Sequence, residues 1–379
     1  MKRILITSLI GIVSLHVSGQ TLVNKVWDAV CSSPDTIDIV QTVIDPAGRL
    51  VMTGNTKVQN QQNNTLTVVR NPDGTPAWTQ TFNGSGNGSD YGTCVTTDAF
   101  GHVYIGGATY GSSITGYDFL VLKYTSSGVL LWSKVYNGPG NGYDVVAGIA
   151  VNTSGEVFVT GASKGTGNQF NLDYATIKYN AAGSQQWASR YNYLGMPDVP
   201  CGIVLDGSGN IFVAGGSGNS ILGADIFVVK YNSNGTQTAS FRHTINSGNG
   251  WDRATAMSID GSGSIFLTGN VYQNNVTCDI RTLKLSNALA LQWSATFNGD
   301  NKDDCANSLA LDNSGNVCVA GYSAKTAGGK DFTTIKYNPS GGLQWERRQS
   351  SSLSWNFGEA RKVKTDNSGN VYVAGEMDR

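Results

Sequence analysis

A chain of 379 residues with 40% hydrophobic residues can bury one large repetitive core or two or three ordinary ones, which excludes general disorder. Only 14% of residues are charged, against roughly 25% in ordinary globular proteins, so Ser, Thr, Asn, Gln and Gly must make most of the polar surface. The formal net charge of -1 supplies no field for nucleic acid or an anionic membrane, and 48 glycines among strong β-formers point to many tight turns rather than long helices.

The chain opens with an export pattern. Lys2 and Arg3 precede a short apolar run, Ile4 to Leu15, and a small-residue exit, Val17-Ser18-Gly19. That run is too short for a stable membrane span, and no later segment approaches the roughly 20 apolar residues one requires. Residues 1–20 therefore read as a signal peptide. Residues 21–379 read as a protein secreted or held at the cell surface, without a membrane span and monomeric.

Next comes Leu22 to Val30, a strand-like segment carrying Trp27 with no repeat before it. From there the pattern Asp-x-x-Gly-x-(apolar)-x-(apolar)-x-Gly occurs seven times, opening at Asp45, Asp98, Asn152, Asp206, Asp260, Asp312 and Asp366. It closes at Gly54, Gly107, Gly161, Gly215, Gly269, Gly321 and Gly375. Such a period marks a repeat architecture. Each copy predicts four strands: a small-residue run before the Asp, an apolar run after the turn, an Asp-aromatic-x-x-Ile-Lys-Tyr run, and a run carrying Trp78, Trp132, Trp187, Phe241, Trp293 or Trp345.

One such sheet cannot bury both faces, so the expected fold is all-β, a seven-bladed β-propeller of four-stranded antiparallel blades. Leu22 to Val30 should supply strand four of the last blade and latch the ring. The seventh copy stops at Arg379 before any third strand. The expectation is that the gene continues; the alternative is a three-stranded blade. The aromatic of strand four is expected to be core.

The phrases Ala175-Thr176-Ile177-Lys178-Tyr179-Asn180, Gln185-Gln186-Trp187 and Asp206-x-x-Gly209-Asn210-Ile211-Phe212-Val213-Ala214-Gly215 resemble the bacterial seven-bladed beta-propeller (SBBP) repeat over essentially the whole mature chain. The first copy departs at Thr65 and Arg70, the fifth at Leu285, and strand four of the fourth at Phe241. The resemblance implies a fold and a secreted or surface location, and little about activity.

The remaining motifs have plain readings. Gly-rich loops such as Asn83 to Ser89 and Asn137 to Tyr143 lead into strands, not helices, so they do not suit phosphate binding. The Asp-x-Ser-Gly-Asn turns carry one carboxylate where a calcium loop needs several. A second set of acids opens the first strands: Asp38, Asp90, Asp144, Asp198, Asp252, Asp304 and Glu359. They are expected to ring one mouth of the central channel, where each caps a backbone or pairs with a strand-three Lys such as Lys178 or Lys336; a cation or polyol site is the sharper alternative.

His102 and His243 are read as lying away from the loops of that face, which leaves nucleophilic triads and His-ligated metals poorly equipped. Lys-Tyr-Asn-x-x-Gly-x-x-x-Trp also looks like the tryptophan-docking repeat of quinoprotein dehydrogenases, but those typically carry adjacent cysteines, which are absent here. No cofactor and no metal are expected. Of the six cysteines, Cys278 and Cys305 are the expected disulfide, if one forms, and the others apolar fillers.

The expected function is a non-catalytic binding or scaffold module for an extracellular protein or glycan. Tyr143, Tyr193, Trp251, Arg253 and Tyr272 are the contact candidates, being non-repeating residues on the long loops of one face. The alternative is a polysaccharide-acting enzyme, a hydrolase or lyase, using loop carboxylates such as Asp35, Asp300 or Asp303.

Overall fold

A computed structural model describes residues 36–378 apart from 58–61, 168–170, 221–222, 245–249, 274–276, 327 and 351–356. The fold is a β-propeller: successive repeats each form their own antiparallel sheet, and the described residues contain no helix. Repeats 1 to 6 each give four strands in simple meander order, and the sheet of repeat 2 gains a short fifth strand, Gly142–Tyr143. Repeat 7 contributes two described strands, Gly358–Thr365 and Val371–Met377. The proposed latch at Leu22 to Val30 lies outside the described residues. Two compact units divide the chain at Ile203, within strand one of repeat 4, with the turn Ser233–Thr236 counted in the first.

Local chemistry explains the repeat. In the Asp-x-x-Gly turns the opening side chain accepts the backbone N–H groups two and four residues on, as Asp312 does from Ser314 and Asn316, both at 2.9 Å; in repeat 3 the Asn152 amide oxygen does the same. An Asp satisfied in this way needs no cation. The closing glycine is a close-approach residue: a Cβ at Gly107 would collide with the carbonyl of Tyr91, and one at Gly321 with that of Cys305. Beside it strand one carries a bulge, between Gly92 and Cys94 in repeat 2.

The core lies between the faces of consecutive sheets. Tyr104, Phe119 and Val121 of repeat 2 pack with Val157, Val159 and Ile177 of repeat 3. Phe266 and Ile280 of repeat 5 pack likewise with Val317, Val319 and Ile335 of repeat 6. Both faces of strands two and three are covered, which is why those runs read as continuous apolar stretches rather than alternating ones.

The strand-four Trp is half-buried rather than fully core, which corrects the expectation. Its outer edge stays in water while its inner face covers a turn glycine of the next repeat, as at Trp132 over Gly183 and Trp293 over Gly341. Its indole N–H donates to the same turn: Trp78 to the Ser126 carbonyl at 3.1 Å, Trp187 to that of Ser233 at 3.0 Å, and Trp293 to that of Pro339 at 2.9 Å.

The strand-three lysines also sit differently from the expectation of pairing with the acids that open strand one. They reach the opposite end of the sheet, where Lys178 pairs with Glu156 at 2.9 Å and Lys336 with Asp312 at 2.8 Å. On the way those of repeats 2 to 5 pass over a strand-two aromatic, as Lys123 over Tyr104 and Lys284 over Phe266, both 5.1 Å from the ring centre, whereas Lys336 faces Cys318.

Candidate functional site

The loops between consecutive repeats, together with the ends of strands two and three, form one end of each sheet. The acids that open strand one are buried pegs there, except Asp38, which is exposed. Asp144 accepts the Gly138 N–H at 2.6 Å and the Lys164 N–H at 2.7 Å, tying a Gly-rich loop to the end of strand two. Asp90 does the same through Gly84 N–H, 2.8 Å, and the Thr109 hydroxyl. Asp198 takes Tyr193 N–H, Asp304 takes Gly299 N–H and Asp252 takes Tyr272 N–H. Glu359 instead accepts Asn307 and pairs with Arg361 at 3.0 Å.

Over the pegs of repeats 2 and 3 stands a cluster of tyrosines. The Tyr117 ring lies 5.8 Å from Tyr91, 5.6 Å from Tyr110 and 5.9 Å from Tyr143. Four elements bring them together: strand one (Asp90–Thr97), the end of strand two (Val103–Ser112), the start of strand three (Gly116–Tyr124), and the loop Gly142–Tyr143, which pairs in parallel with Gly116 and Tyr117. Tyr143 is 58% exposed, and the other three rings are partly exposed. Of the four, the candidates read from sequence included only Tyr143. The signal for the other three was available, because Tyr91, Tyr110 and Tyr117 each break the repeat: repeat 3 carries Val145, Lys164 and Leu172 at those positions.

Beneath the rings lies Asp118, 5% exposed, whose Oδ1 has no hydrogen-bond partner among the described residues. Burial, with the Asp144 carboxylate adding to it, pushes its carboxyl up to about 6. In repeats 3 and 4 the equivalent acids are held by arginines of strand four: Asp173 by Arg190 at 2.7 Å and Asp225 by Arg242 at 2.9 Å. Repeat 2 has Val135 at that register position, so no guanidinium reaches Asp118.

A second group lies at the junction of repeats 4 and 5, in the other unit. It holds Trp251, Arg253 and Tyr272, three of the sequence candidates, around the buried Asp252 peg. Trp251 is 47% exposed. Burial pushes the Asp252 carboxyl up to about 6, with Asp225 adding and Arg281 opposing.

His243 belongs to this group, which corrects its placement away from the face. It ends strand four (Gln237–His243) opposite Ile226, next to Asp225, and burial with the Arg281 charge holds its imidazole below the usual range. His102 is at the far end of its sheet, paired with Asp98 at 2.8 Å. Tyr193 sits on the loop after repeat 3 and accepts the Met196 N–H through its carbonyl. Asp300 pairs with Arg348 at 3.1 Å, Asp303 accepts the Cys278 N–H, and Asp35 lies outside the described residues. No group of three or more His, Cys, Asp or Glu suited to a metal occurs among the described residues.

No family model matches the chain. No curated protein matches it. Solved structures resemble it in fold. A Lactobacillus plantarum protein is 13% identical with a TM-score of 0.54, covering 89% of this chain and 88% of its own. The periplasmic gluconolactonase of Pseudomonas aeruginosa is 12% identical, TM-score 0.53, covering 92% and 90%. An ulvan lyase of a polysaccharide lyase family is 10% identical, TM-score 0.52, covering 87% and 90%. At these identities the likeness is one of fold.

Proposed function

We propose that this chain is an exported β-propeller of the SBBP kind that acts as a non-catalytic binding module, and that its ligand is a glycan chain held on the tyrosine cluster of repeats 2 and 3. The observation that carries this reading is the Tyr117 ring, flanked by three further tyrosines on a loop-bearing face with Tyr143 more than half exposed. Such rings offer an apolar face to a sugar and a hydroxyl to its polar groups at small entropic cost. Rigid pegs beneath the loops preorganise them. A screen of the purified protein on a glycan array tests the reading. Binding that falls at least tenfold in Tyr143→Ala, and is unchanged in Phe100→Ala at the other end of the same sheets, supports it. Absence of any glycan ligand sinks it.

A second reading, an enzyme acting on polysaccharide, is favoured by one observation: Asp252, raised to about 6, and the half-buried His243 both lie within the fields of the same two charges, Asp225 and Arg281. A carboxyl titrating near neutrality and an imidazole kept neutral are a workable acid–base pair. Release of reducing ends or unsaturated sugars from polysaccharide, lost in Asp252→Asn, would replace the binding module with this reading.

A further inference from the structure

Cys278 lies near the start of strand three of repeat 5 (Thr277–Leu285), and Cys305 follows Asp304 in strand one of repeat 6 (Asp304–Leu311). Neither position belongs to the repeat framework. The residue before the strand-three Asp is Tyr117, Leu172, Ala224 or Lys330 elsewhere, and the residue after the strand-one acid is Tyr91, Val145, Val199 or Arg253. The two cysteines therefore occur as a pair at one junction.

Their Sγ atoms are 3.6 Å apart, in van der Waals contact. Two hydrogen bonds hold the facing segments in place: Cys278 N–H donates to Asp303 Oδ1 at 3.1 Å, and its thiol to the Asp304 carbonyl at 3.4 Å. A disulfide requires about 2.05 Å, so the two sulfurs need to approach by only about 1.5 Å. Cys94 and Cys318, by contrast, are buried inside hydrophobic clusters.

We propose that Cys278 and Cys305 are a modification site, joining as a disulfide that stitches repeat 5 to repeat 6 in oxidising surroundings. Cys305 is the more exposed of the two, and its contact with the Cys278 sulfur holds its pKa below the usual thiol value. The Cys305 thiolate attacks one sulfur of a disulfide oxidant, RS–SR, forming a mixed disulfide and expelling RS⁻. Cys278 then loses its proton and attacks Cys305 Sγ, expelling the second RS⁻. Two protons and two electrons leave the cysteine pair, and the oxidant becomes two thiols. The bond closes a loop of 27 residues, as counted from the two positions, and so restricts the unfolded chain.

The test is a peptide map. The full chain is incubated with oxidised glutathione, alkylated under denaturing conditions and digested without reductant. The expected product is a cross-linked peptide containing Cys278 and Cys305, two hydrogens lighter than its parts and abolished by dithiothreitol. The oxidised protein should also melt several degrees above the reduced one, a difference absent in Cys278→Ser and in Cys305→Ser. Alkylation of both cysteines overturns the proposal, as does a lasting glutathione adduct on Cys305 or a bond from either cysteine to a third. Where the serine variants fail to fold, the wild-type map decides alone.

Discussion

The indole of one repeat and the turn glycine of the next form a single packing unit. Gly183 sits at φ +81°, and a Cβ there would lie 2.9 Å from the Trp132 ring. Backbone strain and overpacking both oppose substitution, so Gly183→Ala should destabilise by about 2–3 kcal/mol in urea melts. The unit also explains an irregularity. Where Phe241 replaces Trp, the turn glycine of the following repeat is replaced by Leu289, a buried non-glycine at φ +63°. The smaller ring and the larger turn residue change together. Phe241→Trp alone should therefore destabilise, and Leu289→Gly should recover part of the loss; strict additivity in the double-mutant cycle would deny the coupling. Full burial would make Trp187→Ala cost about 3–5 kcal/mol, the usual price of truncating a core aromatic. With the ring only partly buried, about 2–3 kcal/mol is expected instead.

At the level of strands and loops, most of the architecture was legible because it is local. The Asp-x-x-Gly turns, the two-sided apolar runs and the Gly-closed second strands each follow from a few adjacent residues. What escaped was where side chains from different strands meet. Tyr91, Tyr110, Tyr117 and Tyr143 come from four elements and converge only through sheet register. His243 was misplaced because the loop end of strand four cannot be located from its own sequence. The acids opening strand one were legible as a set, and backbone capping was one of the roles read for them; which loops they hold was not legible. Asp144→Ala strips two backbone N–H groups of a charged acceptor and should cost about 2–4 kcal/mol, measurable by denaturant melts. It should also weaken glycan binding, since the loop it pegs carries Tyr143.

Across the whole molecule, buried carboxyls shape the pH dependence of stability: burial raises Asp90, Asp118, Asp252 and Asp304. Asp118 and Asp252 titrate at about 6 when folded and near 3.8 when unfolded. Their contribution is fully present below 3.8 and lost as pH rises through 6, so it grows as pH falls from 7.5 to 5. Carboxyls held low by hydrogen bonds, such as Asp312 and Asp206, act the other way below about 4. Asp118→Asn should thus raise stability at pH 7.5 by about 1–2 kcal/mol, after discounting for partial solvation, and do nothing at pH 4. A gain of equal size at both values would remove the titration from the account.

The claim that organises the rest is that the tyrosine face of repeats 2 and 3 holds a glycan. Titration calorimetry of the full chain with the tightest array ligand, run on the native protein and on Tyr117→Ala and Tyr143→Ala, tests it most directly. The account predicts saturable binding with one equivalent of ligand, at least tenfold weaker in both variants while their melting stays cooperative. Unchanged affinity in two folded variants would contradict it.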